Sequence, residues 1–193
     1  MRVNKGLMIA ATFDPTKRTS LITVADMCRK IEENSISLPL YQRDISWTLQ
    51  KCIDLLNYQL WGKAPVSPIS INVINTVDSA VPQVSFIDRE IISTIERGQY
   101  SVVDGQQRLT TNYKAYCNHD DFRNIVLDLG KGEFTEVRDS IRSNQIPVGI
   151  LLNKEDTKLF EYTKAKSALG SADVLSVLLQ VRSKMRNYNY TLN

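Results

Sequence analysis

The sequence is short of histidine, short of cysteine and without any long apolar run, and each shortage removes a class of function. His119 is the single histidine. An HNH nuclease, an HExxH metalloprotease or a two-histidine metal site therefore cannot be assembled within this chain. A Ser-His-Asp triad would have to use His119, and no Gly-x-Ser-x-Gly elbow accompanies it. The three cysteines, Cys28, Cys52 and Cys117, are odd in number and far apart, with no Cys-x-x-Cys pair. That speaks against a thiolate zinc site or a disulfide framework and favours a reducing compartment, the cytoplasm being expected. No apolar stretch approaches the ~18–20 residues of a membrane span. Leu7 to Ala11 is too short for a signal-peptide core, so neither a membrane partner nor export is expected. There is no Gly-x4-Gly-Lys-Ser/Thr phosphate loop, no Gly-x-Gly-x-x-Gly turn and no Glu-x-Lys signature of the common restriction-nuclease core. Whatever reaction is run here is left to carboxylates, arginines and amides, with or without a magnesium ion.

What is present suits one globular domain, or one domain plus an arm: 193 residues, 42% hydrophobic and 23% charged. The net charge of +3 is unevenly placed. Residues 1–30 carry a net +4 and residues 174–193, through Arg182, Lys184 and Arg186, a net +3, so the body between them is acidic. Basic ends on an acidic body could bring a polyanion to one face. Equally, the last three cations could complement the dipole of a helix C-terminus.

Residues 1–20 show no period and read as an arm. Thr23, with Asp26 three residues on, predicts a helix start, with Val24, Met27, Cys28 and Ile31 on one face. Ser37 to Tyr41 is extended, because Pro39 pushes Leu38 out of the helical region. Thr48 predicts a second helix with Leu49, Cys52, Ile53, Leu56 and Leu60 inward and Gly62 as its C-terminal stop. Ile69 to Ile74 alternates as a strand does. An insertion follows, loop-like to Pro82 and then a short helix over 88–97. Gln99 to Asp104 predicts a strand, broken by Gly105, and a helix carrying Leu109, Tyr113, Tyr116 and Cys117. Ile125 to Leu129 and Glu133 to Val137 predict paired strands around Gly130-Lys131-Gly132. From Glu155 the chain reads as helical, with Ser171 capping a last helix through Val174, Leu178, Val181 and Met185. The final Tyr188 to Asn193 has strand character and stops where a further strand or domain would begin.

Two segments carry chemistry. In Val102-Val103-Asp104-Gly105-Gln106-Gln107-Arg108-Leu109-Thr110-Thr111, a strand ends in Asp104, Gly105 turns the chain and a helix starts at once. Such a turn points free amides and the positive end of a helix dipole outward, a ready anion site. Gly105 lets a phosphate approach the backbone, Arg108 offers a planar fork to phosphate oxygens, and Asp104 suits a magnesium ligand or a water-orienting carboxylate. Gln106 and Gln107 could donate to oxygens or position a water. Read structurally, the same residues are a capping Asp104 and its ion-pair partner Arg108, and spacing alone leaves both readings open. In Leu38-Pro39-Leu40-Tyr41-Gln42-Arg43-Asp44-Ile45-Ser46-Trp47, an arginine and a glutamine on an extended proline segment could form the opposite wall of a cleft. Trp47 fits a core anchor as well as a stacking platform, and Arg43 and Asp44 could simply neutralise each other.

Together these segments resemble the DGQQR-motif domain family, the N-terminal domain of GmrSD- and SspE-type phage-defence proteins, within the ParB/sulfiredoxin-like superfamily. The likeness runs from about Thr23 to the end, with echoes at Asn124 to Leu129, Ile146-Pro147-Val148 and Asn187-Tyr188. It implies an α+β fold, a ParB/sulfiredoxin-like small mixed sheet packed with helices, plus a helical C-terminal section. The expected organisation is an arm over 1–20, the nucleotide-binding domain over 21–152 and a helical extension over 153–193. The resemblance implies that Asp104 to Arg108 bind and hydrolyse a nucleoside triphosphate, with Gln42, Arg43 and Thr110 contributing to the nucleotide site. Asp104, Arg108 and Arg43 are the catalytic candidates and Asp104 the magnesium ligand. Many relatives carry a second domain with a histidine-containing nuclease motif, for which this chain has neither the length nor the histidines, and the usual aromatic after Gln-Arg-x is Ile45. A separate nuclease or effector chain is thus an expected partner.

Three functions are consistent with the residues. The first is a nucleotide-binding NTP hydrolase serving a DNA-directed phage-defence or restriction system. The second is a non-catalytic DNA-binding sensor or adaptor, motivated by the basic arm and last helix. The third is a metal-dependent nuclease built on Asp104 with carboxylates such as Asp88, Glu90 and Asp128. His119, beside Asp120 and Asp121, reads as a surface residue and Cys117 as packing.

Overall fold

A computed structural model describes residues 3–12, 19–43, 47–62, 68–78 and 80–193. Among these the fold is mixed α/β, with seven α-helices around small sheets. The expected arm holds a helix, α1 (Lys5–Thr12), started by the Asn4 side chain accepting from the Gly6 N–H; none of its residues is buried. Strand β1 (Ser20–Thr23) leads directly into α2 (Val24–Glu32). The Thr23 hydroxyl accepts from the Asp26 N–H, and Val24, Met27, Cys28 and Ile31 form the buried face. Strand β2 (Ile36–Pro39) is buried throughout. Helix α3 (Leu49–Trp61) is capped by Thr48 and stopped by Gly62, whose φ of 59° is the left-handed stop position.

Strand β3 (Ser70–Val73) departs from the expected alternation: Ile69 and Ile74 are buried while Val73 is 40% exposed. A bulge between Ser70 and Ile71 shifts the register and turns the side chains. The helix expected over 88–97 is absent. Strand β4 (Gln83–Val84) pairs with β2, and the chain then doubles back, with the Ile92 N–H donating to the Gln83 carbonyl and the Ser85 N–H to that of Glu90. Arg89 turns this bend at φ 58°. Ladder bonds in this bend replace the helical bonds that local propensity favoured.

Strand β5 (Tyr100–Asp104) completes a four-stranded sheet in the order β3-β5-β2-β4. Within it β2 and β5 run parallel, and the other pairs are antiparallel. Helix α4 (Gln106–Tyr116) follows after one residue. Strands β6 (Ile125–Asp128), β7 (Glu133–Glu136) and β8 (Gln145–Pro147) make a second, antiparallel sheet in the order β7-β6-β8. A short α5 (Val148–Leu151), α6 (Thr157–Ala165) and α7 (Ala172–Arg186) follow, α7 capped by Ser171 as its spacing predicted. Strand β9 (Asn189–Leu192) does not lead outward: it pairs antiparallel with β1 and bridges Ile69 through Leu192.

Two apolar clusters result. One, under the larger sheet, joins Met27, Leu38, Ile69, Val102, Leu109 and Tyr190. The other gathers Leu56, Phe134, Ile146, Leu151, Leu159 and Leu178 between α3, the second sheet and the C-terminal helices. Residues 153–193 contribute to both clusters. No helix among the described residues is long and apolar enough to cross a membrane.

Candidate functional site

Because β2 and β5 are parallel, both chains leave the sheet at the same end. The turn after β2 carries Gln42 and Arg43, and the turn after β5 carries Asp104 and Gly105. Segments sixty residues apart in sequence are thereby delivered to one rim, the carboxyl end of a parallel pair where open sheets generally bind ligands. A cleft of about 400 Å3 lies there, walled by Gln42, Arg43 and Trp47 on one side and by Asp104, Gly105, Gln106, Gln107 and Arg108 on the other.

Helix α4 opens this cleft with no side-chain cap. The Arg108 and Leu109 N–H groups turn back to the Gly105 carbonyl, whereas Gln106 and Gln107, the first helical residues, have no intrahelical acceptor. The capping role considered for Asp104 is therefore not the one it plays. Its ion pair with Arg108 is real: Nη2 lies 3.4 Å from Oδ2. The same nitrogen donates to the Pro68 carbonyl at 3.1 Å, which fixes the guanidinium at the cleft edge. The Arg108 side chain is 11% exposed and that of Asp104 74%, so the carboxylate faces solvent while its partner is set into the wall.

Gly105 is also required by the fold itself. Its φ is +98°, and a Cβ would stand 2.3 Å from Ile69 Cδ1 and 3.1 Å from Arg108 Nη2. The missing side chain makes room for the protein's own groups, Ile69 beneath the turn and the Arg108 fork. Gln107 is also committed: its Oε1 accepts from the Trp47 N–H at 3.1 Å, tying the two walls together. Gln42 Nε2 donates to the Val103 carbonyl at 2.8 Å, a second tie. Trp47 packs partly against the second cluster and also lines the cleft. Arg43 is exposed and makes no ion pair among the described residues. Its suggested partner Asp44, with Ile45, lies outside them. Thr110 sits further along α4, its hydroxyl buried without a partner among the described residues, and is not part of the cleft wall.

Arg89 was invisible to sequence reasoning. From the bend of the insertion its Nη2 donates to the Gln42 carbonyl at 2.6 Å, holding the segment that presents Gln42 and Arg43. A lone arginine between Asp88 and Glu90 carries no spacing signal, and only the β4 pairing brings it here.

The other candidates disperse. Asp128 is buried and accepts from the Gly130 and Lys131 N–H groups and the Asn144 and Gln145 amides. The Gln145 hydrogen bond above all holds its carboxyl below the usual range. Glu90 lines a different cavity, and among the described residues no three His, Cys, Asp or Glu side chains gather as a metal cluster. The nuclease grouping of Asp104 with Asp88, Glu90 and Asp128 therefore has no common site. Arg182 is buried, donating to the Leu151 and Asn153 carbonyls and to Asp156, which Arg186 also contacts. These two cations of the last helix are fixed in the fold rather than presented to a polyanion. His119 accepts from the Asp121 N–H and starts a 3-10 turn. Cys28 and Cys52 are buried and Cys117 partly so, all unpaired, and burial pushes each thiol up.

No curated protein matches this chain. The family model of the GmrSD restriction endonuclease N-terminal domain matches residues 24–189, and the chain belongs to that family.

Proposed function

From that membership we propose that the cleft holds the phosphates of a nucleoside triphosphate and promotes its hydrolysis within a restriction-type defence system acting on foreign DNA. One observation carries the reading: an uncapped helix N-terminus and two arginine forks, Arg43 and Arg108, share one cleft at the ends of a parallel strand pair. An uncapped N-terminus beside guanidinium groups favours a multiply charged anion over a neutral guest.

In this reading the Gln106 and Gln107 amides bind phosphate oxygens. Water attacks the terminal phosphorus, the bond to the bridging oxygen breaks, and a nucleoside diphosphate and inorganic phosphate leave. Arg108, already oriented by the Pro68 carbonyl, and Arg43, on the opposite wall, neutralise charge on the transferred group. The exposed Asp104 carboxylate accepts a hydrogen bond from the attacking water and aligns it. Asp104 also fits magnesium, which takes one or two carboxylates and completes its shell with phosphate oxygens and water; bound there, the ion would supply further charge neutralisation. Gln42 holds the walls together and Arg89 holds Gln42. Thr110, whose hydroxyl is buried in α4, is not among the residues that line the cleft.

The fold belongs, in this proposal, with ParB/sulfiredoxin-like nucleotide binders, and the free thiols fit a cytoplasmic setting. DNA and a separate nuclease or effector chain are the partners of the assembled system. The adaptor alternative loses part of its motivation, since Arg182 and Arg186 are internally satisfied.

The test is calorimetric titration with each NTP and magnesium, followed by phosphate release with and without DNA. Saturable binding is expected, and Arg108→Ala should lower turnover by about 100-fold or more. Affinity and turnover unchanged in Arg108→Ala would end this reading.

A further inference from the structure

A second cavity, of about 280 Å3, lies on the other side of the segment that walls the cleft. Tyr41 lines this cavity, while its neighbours Gln42 and Arg43 line the cleft. The floor is Ser101. Along β5, Val102 is fully buried in the core, so Ser101 and Val103 face the opposite way. Ser101 is 6% exposed, lines the cavity and makes no side-chain hydrogen bond among the described residues. Asn72, its cross-strand partner, and Asn75 border the same space. Their amides likewise have no side-chain hydrogen bond among the described residues, and Val81 adds an apolar edge. Tyr41 is 66% exposed, and its ring stacks on no other ring among the described residues.

We propose that this cavity is the nucleobase subsite of the nucleotide whose phosphates occupy the cleft, an inference that rests on the reading above. A flat heterocycle with donors and acceptors on its edge is what an aromatic ring beside two amides and a buried hydroxyl recognises. Tyr41 stacks on the base, and Asn72, Asn75 and Ser101 read its edge. Spacing agrees: Ser101 and Asp104 are three residues apart on one strand, roughly 10 Å, on the scale of the ribose and phosphate chain between a base and its terminal phosphate. The ligand passes over the carboxyl end of the β2–β5 pair, above the hydrogen bond from Gln42 to the Val103 carbonyl.

The experiment compares inorganic tripolyphosphate with ATP, GTP, CTP and UTP by calorimetry in magnesium, on the wild-type chain and on Tyr41→Ala, Tyr41→Phe and Asn72→Ala. Tyr41→Ala should weaken NTP binding about tenfold and leave tripolyphosphate binding unchanged, while Tyr41→Phe keeps the wild-type affinity. Asn72→Ala should narrow the differences among the four bases. If tripolyphosphate binds as in the wild type but NTP affinity is indifferent to Tyr41→Ala, the base subsite is wrong and the phosphate cleft stands. A Tyr41→Ala loss equal for tripolyphosphate and NTP would also overturn the subsite, since Tyr41 would then act only on the cleft wall. Should neither tripolyphosphate nor any NTP bind the wild-type chain, both readings fall together.

Discussion

Asp104 and Asp128 end two strands of the same chain, each shortly before a glycine, and the fold treats them in opposite ways. Asp128 is buried and accepts four hydrogen bonds from the turn and the strand beside it. Asp104 is open to solvent and touches one arginine. The arginines divide likewise: Arg182 is saturated by two carbonyls and a carboxylate, whereas Arg43 is presented at a rim. Polar groups such as Asp128 and Arg182 in the C-terminal half complete the structure, whereas Asp104 and Arg43 at the β2 and β5 ends face outward. Similar residue types are thus enclosed and saturated by the fold in one region and turned to solvent in the other, as Asp128 and Asp104 show.

Exchanging the treatment of the two aspartates is the strongest way to break this contrast. Asp104→Asn is expected to lower NTP turnover by about 100-fold while the melting temperature stays within about 2 °C of wild type. Asp128→Ala strands its donors and should cost roughly 2–3 kcal/mol, a fall of about 5–10 °C for a chain of this size, with turnover kept at temperatures where the protein remains folded. Thermal melts and phosphate-release assays on both variants decide it, and a parallel loss of activity and stability in both would dissolve the distinction.

Gly105→Ala joins the two regimes. The left-handed φ and the clash with Ile69 should cost about 1–3 kcal/mol, and displacement of Arg108 should reduce NTP affinity as well; a melt together with a titration measures both. Arg89→Gln is a subtler probe: with the Gln42 carbonyl released, KM should rise about tenfold with kcat nearly constant. Equal falls in kcat and kcat/KM would instead place Arg89 in contact with the reacting group.

The smallest effect is on pH. Arg182 above all holds the Asp156 carboxyl below its usual range, as Gln145 does for Asp128. A carboxylate with a depressed folded-state pKa stabilises fully above the ordinary range and loses that contribution as pH falls through the folded value. The melting temperature should therefore decline below about pH 4, and Asp156→Asn should flatten that limb. An unchanged slope would detach the Asp156 pair from acid stability.

What the residues disclosed in advance follows the range of the forces. Helices α2, α3 and α7 were legible because Thr23, Thr48, Ser171 and Gly62 act on their own neighbours and the apolar spacing names the buried face. The β6–β7 hairpin was legible through its glycine turn. The β1–β9 pair joins opposite ends of the chain, and the bulge in β3 and the bend carrying Arg89 are set by strands distant in sequence, so no local signal announced them. At the cleft the residue identities were readable in the two segments. The Asp104–Arg108 pair was open to local spacing as well, whereas the Gln107–Trp47 tie and the inward Thr110 depended on where α4 packs.

Ile69 has a consequence of its own. It fills the space beneath Gly105, and its N–H and carbonyl are bonded to Thr191 and Asn193 at the far end of the chain. The last strand and the turn that bears Asp104 and Arg108 thus rest on a common strut. Displacing residues 189–193 would remove the footing of that turn although none of them borders the cleft, so the last strand and the turn after β5 form one mechanical unit.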